Sequence, residues 1–258
     1  MRALAGVLVM SLAGTATAAI QTKEIEYEAD GAKLKGVLAY DDAAKGKQPG
    51  VIVFHEWWGL NDYAKMRAKQ LAELGYVAFA ADMYGAGKVT EHPKEAGKMA
   101  QEVRMNREAW LGRAQAALKV LEAQPQVDKD HLAAIGYCFG GTTALVLAAS
   151  GAPLKAVSTF HAGLPPLTAD QAKQIHARLL INNGADDGFV TKEQIDAFRK
   201  ALDAAGVKYQ FENYPGAVHS FTVGDADKHA VKGMAYNKAA DQKSWEAMRT
   251  LFKETLGK

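Results

Sequence analysis

The chain has 258 residues, 48% of them hydrophobic, with 31 Lys and Arg against 29 Asp and Glu. That length supports one large core, so a single α/β domain is expected over two small ones. The formal net charge of +2 lacks the basic bias of a polyanion-binding protein, so no nucleic acid partner is expected. A lone cysteine excludes an internal disulfide.

In chain order, Met1-Arg2 precedes an apolar run from Ala3 to Leu12 and then Ala16-Thr17-Ala18. This is the pattern of a signal peptide with an A-x-A cleavage site. Residues 1–18 are therefore expected to be removed on export, to a bacterial periplasm, leaving residues 19–258 as one domain. No second long apolar run follows, so no membrane span is expected in the mature chain, which is read as a monomer acting on a small molecule.

Residues 24–29 and 33–40 alternate with period two around Asp30-Gly31, which predicts a hairpin. Short apolar runs then recur at residues 51–54, 76–80, 132–135, 155–160, 178–182 and 209–213, with helical stretches at 63–74, 107–123, 192–205 and 239–256. Such alternation predicts a mainly parallel sheet covered by helices on both faces, with the hairpin as an antiparallel edge. The functional site is then expected at the carboxyl ends of the strands. Residues 85–98 read as a surface excursion that rims or covers it.

The sharpest motif is Gly136-Tyr137-Cys138-Phe139-Gly140-Gly141, placed between a short strand and the apolar helix Thr142 to Ala149. It matches the G-x-S-x-G nucleophile elbow with sulfur in place of the hydroxyl, and the following helix N-terminus favours a thiolate. A cysteine nucleophile needs a base and a group that orients the base. Asp187, with Asp186 as fallback, follows the strand at 178–182, and His219 follows the last strand in a Gly/Pro loop. The order Cys138, Asp187, His219 is that of α/β-hydrolases. His55-Glu56 resembles the start of H-E-x-x-H, but Gly59 occupies the second ligand position, so no metal or other cofactor is expected.

On these motifs the chain resembles the dienelactone hydrolase family of α/β-hydrolases, from about Gln21 to near the C-terminus. His55 to Leu60, Ala81 to Gly85, the elbow, Asp187 to Val190 and Gly216 to Phe221 carry the resemblance. It implies an α/β-hydrolase fold and hydrolysis of an ester or lactone through a Cys-His-Asp triad and an acyl-enzyme. It also selects Asp187 as the acid and gives Glu56 a part in activating the thiol. The oxyanion hole is then expected from the backbone N–H groups of Phe139 and Trp57. Trp58, Tyr84 and His161 are expected to line the pocket, whereas His92, His131, His176 and His229 read as surface positions.

Members of the family that cleave dienelactone hold the substrate carboxylate with two arginines, and the matching positions here are Ala86 and Val223. The resemblance therefore implies the acyl-transfer chemistry without fixing the substrate. Two other readings use the same residues. One is a non-catalytic periplasmic protein that binds a small ligand; the other is a thiol redox sensor, disfavoured because no second cysteine exists to resolve an oxidised Cys138.

Overall fold

Period-two burial builds the sheet. In a computed structural model describing residues 19–258, all seven residues of β3 (Gln48–Phe54) are buried. Ile52 and Phe54 join the core on one face, while Val51 and Val53 join the core on the other. β4 (Val77–Ala81) and β6 (Ala156–Phe160) are likewise buried along their whole length, as strands covered on both faces must be. The expected signal peptide, residues 1–18, lies outside the described residues.

The other strands are β1 (Ile20–Ala29), β2 (Ala32–Asp41), β5 (Val127–Tyr137), β7 (Arg178–Gly184) and β8 (Tyr209–Tyr214). They form one eight-stranded sheet in the order β1-β2-β4-β3-β5-β6-β7-β8. The β1–β2 hairpin and the β2–β4 pair are antiparallel, and all remaining pairs are parallel. This is the α/β-hydrolase arrangement that the sequence implies. Helices α1 (Asp62–Glu73) and α7 (Lys238–Leu256) cover one face. The opposite face carries α3 (Arg107–Glu122), the fully buried α4 (Phe139–Ala148) and α6 (Lys192–Ala205).

Strand order decides where a crevice can form. β3 lies between β4 and β5, so the chain leaves it in one direction and later returns on its other side. At such a switch point the loops after neighbouring strands diverge. Those loops here carry Glu56 to Gly59 after β3 and Cys138 after β5.

The expected surface excursion at 85–98 is exposed for most of its length, but its second part is helical. Pro93 begins α2 (Pro93–Met105), because proline at the first helical position forfeits only an N–H that would be unpaired anyway. The irregular stretch before it is bonded to the site loop: Val89 bridges Gly59, and Thr90 N–H donates to the Trp58 carbonyl at 3.0 Å. It forms a rim tied to the loop after β3. A short helix, α5 (Ala169–Lys173), is capped by Thr168 and left no periodic signal at five residues.

Candidate active site

The elbow is built by close approach of backbones. Cys138 adopts φ +51° and ψ −115°, a region that costs free energy for any residue with a Cβ. Its N–H is held by the Phe160 carbonyl at 3.0 Å, and its own carbonyl accepts from Gly141 and Thr142 at the start of α4. A Cβ on Gly136 would lie 2.1 Å from the Gly140 carbonyl oxygen, and one on Gly140 would lie 2.3 Å from the Phe54 oxygen. The motif spacing is thus steric. Cys138 emerges from this packing partly exposed.

His219 stands against Asp187. Its Nδ1 is 2.8 Å from Asp187 Oδ2, while Asp187 Oδ1 accepts the Phe189 N–H at 2.8 Å. Asp187 is 5% exposed and Asp186 is fully on the surface, which separates the two aspartates. Burial opposes a charge on His219. The Cys138 sulfur, acting as charge and hydrogen-bond partner, and the Asp187 carboxylate outweigh it and push the imidazole up to about 10.

Glu56 is 1% exposed, and its Oε1 accepts from the Ser220 hydroxyl at 2.9 Å. Its Oε2 has no partner among the described residues. Burial pushes the Glu56 carboxyl up to about 7, although Ser220 and His219 both pull it down. The folded chain therefore holds a proton there that the unfolded chain gives up near the ordinary value of 4.5. Stability from this group is present below that value and lost as pH rises to about 7. Glu56→Gln removes the titration, so its stability relative to wild type should improve by on the order of 2 kcal/mol between pH 5 and pH 8. Denaturant melts at the two pH values measure this; a constant difference would show that Glu56 ionises normally.

The expected oxyanion donors follow β3 and β5. Neither the Phe139 nor the Trp57 N–H has a backbone acceptor among the described residues. His55, weighed in the sequence only as a metal ligand, fixes the peptide that carries the second donor. The Met83 N–H donates to its Nε2 at 3.1 Å, which leaves Nδ1–H to donate to the Glu56 carbonyl, in the same peptide plane as the Trp57 N–H. Asp82 fixes the neighbouring turn, accepting from Tyr84 and Gly85 at 2.9 Å through Oδ1 and from Lys35 at 3.2 Å through Oδ2. Neither role has a spacing signature in sequence.

The three expected pocket residues separate. Trp58 lines a cleft of about 820 Å³ that also contains Glu56, Leu60 and Val223. Tyr84 lines a different, smaller cleft of about 180 Å³ with Arg113, and its hydroxyl donates to the Trp57 carbonyl at 3.1 Å. His161 is corrected: it is 0% exposed and lines neither cleft. With φ +41° its ring packs under the site, against His219 and Phe221. His229 is also corrected, since it is half-buried and stacks on Trp58 at 4.0 Å between ring centroids. Of the two positions where the resemblance places arginines, Val223 forms cleft wall and Ala86 lies outside it.

A buried polar network supports His161 from below. Arg67 of α1 pairs with Asp241 of α7 at 2.5 Å and donates to the Thr222 carbonyl at 3.1 Å and the Tyr63 hydroxyl at 3.1 Å. Tyr63 donates to Thr222 Oγ1 at 2.6 Å, so that hydroxyl donates onward to His161 Nε2 at 2.8 Å. Burial, with His219 and Arg67 nearby, holds His161 well below the usual histidine range and therefore neutral.

This geometry has close counterparts. Residues 34–256 match the model of the dienelactone hydrolase family. The chain belongs to the dienelactone hydrolase family. Membership makes it a hydrolase of the ester and lactone class. The solved structure "m3DLH" is 46% identical with a TM-score of 0.89, covering 92% of this chain and 99% of that one. A dienelactone hydrolase-like promiscuous phosphotriesterase from metagenomic libraries, P91, is 42% identical with the same TM-score and the same coverage. A protein of Aquifex aeolicus provisionally named carboxymethylenebutenolidase is 29% identical, over 90% of this chain and 98% of its own length. Among the described residues, no helix of this hydrolase is long and apolar enough to cross a membrane.

Proposed function

We propose that this hydrolase opens ester or lactone bonds through an acyl-thioester on Cys138. The supporting observation is His219 held at 2.8 Å by the Asp187 carboxylate, with the sulfur of the strained elbow near enough to raise its imidazole. The sulfur attacks the carbonyl carbon, and the Phe139 and Trp57 N–H groups receive the developing oxyanion. His219 carries the thiol proton to the departing alkoxide, and Asp187 fixes its tautomer and stabilises the imidazolium. Water then attacks the thioester with His219 as base. His55 acts as a positioning residue, since it holds the Glu56–Trp57 peptide. Glu56, once it gives up its proton near pH 7, disfavours a free thiolate until substrate arrives and so limits oxidation of a lone cysteine.

The 42% identity to a promiscuous phosphotriesterase supports a second electrophile for the same sulfur, a phosphotriester. The sequence pattern of residues 1–18 supports export to a periplasm, with residues 19–258 acting there as a monomeric single domain.

An aryl carbamate tests the reading, because a carbamoyl thioester hydrolyses slowly enough to accumulate. Intact-mass and peptide spectra should show one carbamoyl group, on the peptide that contains Cys138. Time-dependent labelling at any other residue, or none while ester turnover proceeds, would overturn it.

A further inference from the structure

The cleft of about 820 Å³ adjoins the loop of the expected oxyanion donor, since Glu56 and Trp58, on either side of Trp57 in the chain, both line it. Its charge is uneven. Of its lining carboxylates, Asp62 is paired with Lys65 at 3.3 Å and Asp225 with Lys228 at 3.0 Å. Glu56, Glu91 and Glu95 have no lysine or arginine partner among the described residues. Glu95 accepts only the Thr90 hydroxyl, at 2.6 Å. His92, His229 and Tyr63 are the remaining titratable groups in the wall.

An independent observation points to a ligand there. Glu56 is 1% exposed, yet its Oε2 has no hydrogen-bond partner among the described residues. A buried acceptor without a donor is costly and calls for a group that supplies positive charge or a proton. Aromatic walls suit the same visitor: Tyr63 lines the cleft, and the stacked pair Trp58 and His229 forms part of it. Ring faces next to carboxylates bind weakly hydrated cations better than anions. Val223 adds apolar surface and no cation.

Resting on the hydrolase reading, we infer that this cleft takes the non-reacting end of the substrate and selects one bearing a positively charged, alkylammonium-type group. Carboxylate-bearing esters are disfavoured by Glu91 and Glu95, and by Glu56 once it ionises near pH 7. Because Glu91 and Glu95 are exposed, their contribution is screened by salt.

Two matched ester series test this. In one, aryl esters carry acyl chains ending in trimethylammonium, tert-butyl or carboxylate; in the other, acetyl esters are made from choline, its carbon isostere or a carboxylate-bearing alcohol. At low salt one series should show kcat/KM falling from cation to neutral isostere by about ten-fold, and further to the anion. In the Glu91→Gln/Glu95→Gln double variant, and at high salt, the cation-to-neutral ratio should drop to within about two-fold. Equal rates for cation and isostere in both series, or fastest turnover of the carboxylate, would overturn the inference while leaving the hydrolase reading intact. If no ester is turned over, the hydrolase reading fails. The cleft is then judged by calorimetry of choline against its carbon isostere: preference for choline supports it, and equal or absent binding overturns it.

Discussion

Replacing Cys138 by alanine should lower kcat/KM for a short aryl ester roughly ten-thousand-fold or more, because groups that act as one unit lose nearly the whole effect when one is removed. His219→Ala should fall by a similar factor, and the double variant should be little worse than either, since in the proposed mechanism the imidazole acts through the sulfur. Thermal stability is the control. Cys138 is only partly buried, so the variant should stay within a few degrees of wild type. Undiminished turnover would return the chain to the reading of a binding protein that keeps a hydrolase fold, and would place any observed hydrolysis elsewhere.

Gly136→Ala should damage the fold more than the loss of any single contact at the site. The added methyl would lie 2.1 Å from the Gly140 oxygen and 2.6 Å from the Gly141 nitrogen, and both partners are backbone that cannot rotate away. Relief requires separating β5 from the start of α4, between which Cys138 is held. A cost on the order of 4 kcal/mol or more is expected, a large part of the usual 5 to 15 kcal/mol of total stability. The melting temperature should fall by about 10 °C, or the protein should accumulate insoluble. Gly224→Ala, where an added Cβ meets nothing within 4 Å, should stay near wild type. Equal melting of both variants would show that the elbow relaxes without strain.

The fold was legible because burial leaves a periodic trace. Val51-Ile52-Val53-Phe54 and Lys155 to Phe160 read as covered strands, and both lie inside one sheet. Of the site, Cys138, Asp187 and His219 were legible because each terminates a strand in a recognisable turn, and two of them meet at 2.8 Å. The residues that hold them were not. His55 works by bonding to one backbone carbonyl, and Asp82 by gathering four backbone N–H groups, contacts that exist only after the chain has folded. His161 misled because it follows a strand as a pocket residue should, yet its positive φ turns it into the interior. α2 escaped notice because Gly85 and Gly87 dominate the segment before it, while its buried positions, Ala96, Ala100 and Val103, are small or few.

The anchoring of the His219 loop has a consequence for substitution. Thr222 is gripped through both its carbonyl and its hydroxyl by Arg67 and Tyr63, and Arg67 is in turn locked to the last helix through Asp241. One residue later Val223 already belongs to the cleft wall, and that wall continues through Asp225, Lys228 and His229. A single loop is thus divided between Thr222 and Val223 into a half tied to α1 and α7 and a half that lines the cleft. Substitutions on the outer side therefore alter the cleft wall while leaving the Arg67 and Tyr63 bonds that hold Thr222 in place.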